Sequence, residues 1–395
     1  MKKNLLFVMP SLAAGGGEKS LINLLYQIDY DLYNVDLFLF SKTGTFLNSI
    51  PREVNILELP MNYKTFTMGF NKSLKEYFKN GKFNLAYYRL MFAIKNRTIK
   101  DNSNAEQYTW RYLSKSIGLL EKKYDIAIGY LEKSSIYFVV DKVNSKKKIG
   151  WIHTNYTNSG LDSNFDAPYL KQLDHIVTVS KECAESIKET FQDLSKKVRV
   201  IYNIVSPRLI KELSNHSIHE ALTDEEYTNI VTVSRLSHEK GIDLAVKSCE
   251  ILLRKGYKVR WYIIGEGNER RNLERLIEKK DLKNNFKLLG IKENPYPYIR
   301  MADIYVQPSR YEGKSIAIDE AKILLKPIIV TNFNTAKDQI IDGTDGVVVD
   351  INEEEISNGI ERLIINITLT KDIINNLSLQ DLGTEEEVKK LYEIF

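Results

Sequence analysis

A chain of 395 residues is longer than one hydrophobic core normally organises and calls for two domains of ordinary size. Its 43% hydrophobic and 27% charged residues describe a soluble globular protein and exclude a disordered one, while the formal net charge of +4 is modest and unevenly spread. No apolar run reaches the roughly eighteen residues that a membrane-spanning helix requires.

The first ten residues combine Lys2 and Lys3 with a short apolar stretch, but without a long apolar region or a small-residue cleavage site, so they read as a first buried strand. Short apolar strands are expected at 5–9, 35–40, 54–57, 126–130, 148–152, 176–179 and 198–202, alternating with helix-like segments. That rhythm predicts a mostly parallel sheet covered on both faces. It pauses near Asn203, and the polar stretch from Ser206 and Pro207 through Asn215, His216, Thr223 and Glu226 reads as a linker. A second series follows at 229–233, 259–264, 286–289, 304–307, 328–331 and 346–349. The expected organisation is an N-terminal Rossmann-like domain over 1–205, a second over 206–378, and a helix over 379–395 packing back on the first domain. Two doubly wound α/β domains in tandem face each other across a cleft, with the chemistry on loops that follow strands.

After the first strand, Gly15, Gly16 and Gly17 remove side-chain bulk at a helix start and leave backbone N–H groups for a ligand. Ser20 stands where a dinucleotide fingerprint has its third glycine, which disfavours a nicotinamide enzyme; a plain tight turn fits the same residues. From 61 to 100, nine basic residues face one acid, Glu76, with aromatics interleaved. This mixture suits an anionic membrane surface, and equally a pair of helices whose rings are core and whose lysines are solvated; it suits single-stranded nucleic acid less well. His153 follows a strand and faces the expected cleft. With His175, His216, His219 and His238 it forms no metal-ligand spacing, and Cys183 and Cys249, in separate domains, fit a reducing cytoplasm.

In the second domain, Arg235 and Lys240 lie five apart in a strand-to-helix loop, where two cations facing the cleft neutralise a diphosphate without a metal ion; two surface cations flanking a loop fit the same residues. Gly265, Glu266 and Gly267 end another strand in a turn that is compatible with a ligand or with none. Finally, Glu312 and Glu320 straddle a strand-to-helix turn through Gly313, Lys314 and Ser315. A helix starting near Ser315 sets Glu320 roughly 6–8 Å along its axis from an open, anion-favouring N-terminus. A diphosphate with a hydroxyl-bearing ring at each end has the matching shape.

Taken in order, these stations resemble family 4 of the retaining nucleotide-sugar glycosyltransferases, of GT-B fold: Gly15-Gly16-Gly17-Glu18, Trp151-Ile152-His153, Val200-Ile201-Tyr202-Asn203, Ser234-Arg235-Leu236 with Lys240-Gly241, Gly265-Glu266-Gly267, and Glu312 to Glu320. The resemblance implies that Glu312 binds donor-sugar hydroxyls, Glu320 the ribose, and Arg235 and Lys240 the diphosphate. By the same resemblance Gly313, Lys314 and Ser315 add backbone N–H groups, Gly265 lies by the donor and Ile291 against the base, Gly16 and Gly17 close over the donor, and His153 sits near the transferred sugar. Lys314 departs from the apolar or aromatic residue frequent there. The implied enzyme needs no cofactor and works in the cytoplasm, peripherally on the inner face of the membrane, on a lipid-linked oligosaccharide acceptor in surface-glycan synthesis. A nucleotide-sugar epimerase, a soluble-acceptor glucosyltransferase, or a non-catalytic sugar-nucleotide or RNA binder remain as alternatives.

Overall fold

A computed structural model describes residues 2–13, 15–99, 102–217 and 226–395. His219 and Thr223, named above, and Lys100, the last of the nine basic residues, lie outside them. The chain divides into two compact units, one holding residues 2–13, Gly17–Asn203 and Glu386–Phe395, the other Gly15, Gly16 and Ile204–Glu385.

The first unit is built on seven parallel strands: β1 (Lys3–Met9), β2 (Tyr33–Leu39), β3 (Val54–Ile56), β4 (Tyr124–Gly129), β5 (Ser145–Ile152), β6 (His175–Thr178) and β7 (Val198–Val200), in the order β3-β2-β1-β4-β5-β6-β7. Leu5 of β1 lies opposite both Val35 and Ile126. Leu5, Leu6, Phe7, Val8 and Met9 are all buried, because helices cover both faces of the sheet and no alternation with polar residues is needed. The helix Gly16–Leu25 is fixed by one buried hydroxyl: Ser20 Oγ meets Tyr130 Oη at 2.8 Å and donates to Asn203 Oδ1 at 2.7 Å. The terminal helix Glu387–Glu393 joins this unit, with the Tyr392 ring stacked on Tyr33 at 5.3 Å and Lys147 Nζ donating to the Phe395 carbonyl at 3.0 Å.

The second unit has six parallel strands: β8 (Thr228–Val233), β9 (Val259–Ile264), β10 (Phe286–Gly290), β11 (Ile304–Gln307), β12 (Ile328–Thr331) and β13 (Val347–Val349), in the order β10-β9-β8-β11-β12-β13. The chain winds outward from β8 in one direction and from β11 in the other, so the loops after these two neighbours flank the point where strand order reverses. Both sheets are of the doubly wound type that the alternating apolar runs predict. The stretch from Ser206 departs from a plain linker. Ser206 Oγ accepts from Leu209 N at 3.5 Å, Pro207 fits the first helical turn, and the helix Pro207–Leu213 buries Ile210 in the core of the second unit.

Candidate active site

Three loops of the second unit are knitted together by backbone hydrogen bonds. Leu236 N donates to Glu266 O at 3.0 Å, Glu269 N to Leu236 O at 2.9 Å, and Gly265 N to Gly290 O at 2.9 Å. Two glycines make this possible: a Cβ on Gly265, whose φ is +146°, would sit 1.9 Å from Ser234 O, and one on Gly241, at φ +65°, 1.9 Å from Pro308 O. The Gly265 turn thus has a packing reason of its own. Close approach at Gly241 brings the end of the β8 loop against the end of β11.

The product of that approach is an ion pair. Lys240 Nζ lies 2.5 Å from Glu312 Oε2, and the two side chains are 15% and 7% exposed. A carboxylate at this depth costs several kcal/mol unless it is paired and hydrogen-bonded. Glu312 is both: Ser309 Oγ donates to Oε1 at 2.8 Å and Gln307 Nε2 to the same oxygen at 3.1 Å. Its backbone is held too, its N–H by Asn334 Oδ1 at 3.3 Å and its carbonyl by Thr335 Oγ1 at 3.2 Å. Of the two readings, the structure excludes the surface cation for Lys240, because Gly241 tucks the loop against Pro308 and leaves the ammonium under the β11 loop.

The helix Ile316–Ile323 starts where the glutamate spacing predicts. Gln339 clamps the residue that precedes it, accepting from Ser315 N at 2.9 Å and donating to Ser315 O at 2.8 Å. Glu320 is buried, with Tyr296 Oη donating to its Oε1 at 3.1 Å. Burial first, and the Glu320 charge second, push the Tyr296 phenol well above its ordinary value, so it stays a donor. Lys314 is mostly buried and lies 3.5 Å from Asp319 Oδ2.

Arg235 is different: its side chain is 63% exposed, and Glu239 Oε1 lies 3.6 Å away. The Glu239 carbonyl in turn accepts from Arg310 N at 2.8 Å, and Arg310 grips Asp243 through two hydrogen bonds of 2.7 Å. Ile291 follows Gly290 and is exposed. The second unit therefore joins Lys240 to Glu312 directly, carries Gly313, Lys314, Ser315 and Glu320 on the same loop and helix, and ties Arg235 to that loop through Glu239.

In the first unit, His153 follows β5. Its Nε2 lies 3.1 Å from the Tyr130 carbonyl, which only accepts, so Nε2 carries the proton and Nδ1 is left as an acceptor. Its backbone N–H donates to Glu132 Oε2 at 3.1 Å. Burial pushes the imidazole down to about 4, and burial likewise raises the Glu132 carboxyl. Gly16 and Gly17 open the first helix, and a Cβ on Gly17 would lie 3.9 Å from His153 Cγ and 2.9 Å from Leu131. The spacing reading passed over Gln307, Ser309, Tyr296, Arg310, Asn334, Thr335 and Gln339. The polar Gln307 inside an otherwise apolar strand was the one visible signal among them.

Comparisons with known proteins bear on the fold and on the class of enzyme. Residues 215–378 match the sequence model of the family described as glycosyl transferases group 1. An uncharacterized glycosyltransferase of Methanocaldococcus jannaschii is 27% identical over 212 residues, 50% of this chain and 51% of that protein. The poly(ribitol-phosphate) alpha-N-acetylglucosaminyltransferase of Staphylococcus aureus is 26% identical over 258 residues, 63% of this chain and 50% of that one. The chain thus spans about half the length of the curated relatives it matches. Among solved structures, HepE of Anabaena in complex with UDP-glucose superposes with a TM-score of 0.71 at 15% identity, covering 99% of this chain and 98% of the other. The fold is that of the GT-B proteins, and the matches support a glycosyltransferase.

Proposed function

We propose that this chain, whose residues 215–378 match group 1 glycosyl transferases, moves a sugar from a UDP-type nucleotide diphosphate donor to an acceptor hydroxyl with retention of anomeric configuration. The observation that carries the reading is the buried Lys240–Glu312 pair, set at the strand-order reversal between β8 and β11 and followed by the N-terminus of the Glu320 helix. Glu312, its carboxylate already oriented by Ser309 and Gln307, takes the donor-sugar hydroxyls. Lys240 and Arg235 take the diphosphate, Glu320 the ribose, Ile291 borders the base, and the loop backbone at Gly313 and Lys314 borders the anion site, whereas the Ser315 N–H, expected there too, is already held by Gln339. The family resemblance assigns Gly16, Gly17 and His153, a neutral imidazole, to the donor as well.

In the reaction the bond from the anomeric carbon to the phosphate oxygen breaks, its electron pair leaving with the diphosphate. The acceptor oxygen bonds to the same face of that carbon, and its proton passes to the departing diphosphate. The charge that develops there is neutralised by Lys240 and Arg235 in place of a metal ion, so catalysis is mainly positioning and electrostatics. The acceptor is a lipid-linked oligosaccharide of a surface glycan; the poly(ribitol-phosphate) relative and the basic, aromatic helices of the first unit support this choice. The test is incubation with a panel of nucleotide-sugars and a bacterial lipid extract, followed by NMR of the new linkage. Acceptor-dependent release of UDP with a retained anomer is expected. Inversion would overturn the stereochemistry, and donor epimerisation without an acceptor would overturn the transfer.

A further inference from the structure

The helix Phe83–Thr98 carries an apolar row that its own fold does not use. Phe83, Tyr87, Leu90 and Ile94, spaced by four, three and four residues, share one helix face about 16 Å long. Their exposures are 63%, 57%, 41% and 46%. Other residues of the same helix do the packing: Ala86 is buried with Phe66 and Tyr77, and Leu85, Tyr88 and Phe92 lean on that cluster. The row is extended by Phe78 of the helix Phe70–Lys79, whose exposed ring lies 5.9 Å from that of Phe83. Cations stand at both ends, Lys79 and Lys82 beside the Phe78 and Phe83 end and Arg97 one turn beyond Ile94, all exposed.

We propose that this row is a docking surface for an anionic lipid bilayer. The helix lies in the plane of the interface with its rings and aliphatic side chains at the acyl boundary and its cations at the phosphates. Among the described residues no helix is long and apolar enough to cross a membrane, so the contact is lateral. Charge selects this occupant: between 61 and 98 the only acid is Glu76, so a second copy of the chain would bring two positive faces together. A soluble polyanionic glycan or a nucleic acid uses rings and cations but gains little from Leu90 and Ile94. The surface shares no residue with the proposed donor site, and it would stand even if the acceptor were water-soluble.

The experiment is co-sedimentation of the full chain with vesicles of phosphatidylcholine alone or mixed with phosphatidylglycerol, alongside light scattering without lipid. Wild type is expected to pellet with the anionic vesicles only. Lys79→Glu with Arg97→Glu is expected to weaken that partition by about tenfold or more, and Leu90→Ser with Ile94→Ser to reduce it as strongly. All of these positions are exposed, so melting temperatures should stay unchanged and report intact folding. Equal pelleting with neutral and anionic vesicles, or binding indifferent to either double variant in folded protein, overturns the proposal. So does a dimer that Leu90→Ser with Ile94→Ser dissolves while lipid binding persists, which would assign the row to a second copy.

Discussion

Buried charge in this protein is placed next to the groups that keep it usable. Glu312 has a cation and two neutral donors on its carboxylate, an arrangement that fixes both oxygens before any ligand arrives. His153 is handled in the opposite way, kept neutral by burial with its pKa lowered from 6.5 to about 4. Between those two values the unfolded chain binds a proton that the folded chain refuses, so the imidazole contributes stability above pH 6.5 that is lost progressively as pH falls toward 4. One such proton sets a slope of at most about 1.4 kcal/mol per pH unit. Urea titrations at pH 7 and pH 5 should show a larger loss of stability in the wild type than in His153→Gln; equal losses would mean that the ring is protonated freely in the fold. The glutamate pair and the loop cations stand at short chain separations and so came forward as candidates, while their roles rested on the family resemblance and not on spacing. Tyr296, Asn334 and Gln339 did not come forward, since Tyr296 reaches the site from the β10–β11 connection and Asn334 and Gln339 from the β12–β13 connection, and only the closed sheet brings them there.

Loops, more than side-chain identity, decide whether the two halves of the cation–carboxylate pair meet. Gly241 permits the β8 loop to touch Pro308, and Arg310 with Asp243 holds the same loops together from the other side. Gly241→Ala combines an αL penalty with an overlap against a backbone carbonyl, and should cost about 2–4 kcal/mol while displacing Lys240. Chemical denaturation measures the loss; an unchanged midpoint would show that the loop has slack that the geometry denies. The apolar runs announced the strands well, as in the match of 259–264 to β9, because a parallel sheet covered on both faces leaves long unmixed hydrophobic stretches. The stretch after Ser206 misled for the complementary reason. A seven-residue helix that buries Ile210 carries too few apolar positions to show a period.

Each unit carries its own groups: the second gathers the loops of Lys240 and Glu312 at its strand-order reversal, and the first holds His153, Gly17 and the basic aromatic helices. Isothermal titration of UDP into the wild type, Arg235→Ala and Lys240→Ala puts the proposed anion site to the proof. Arg235 is exposed, so its variant should fold normally; removing Lys240 leaves Glu312 short of a partner and should also cost about 3 kcal/mol of stability, which a melting curve at the titration temperature controls. The account predicts that the wild type binds UDP and that each folded variant binds it at least about tenfold more weakly, a loss of about 1.4 kcal/mol. Equal affinity in all three, or no affinity for any nucleoside diphosphate, would contradict it.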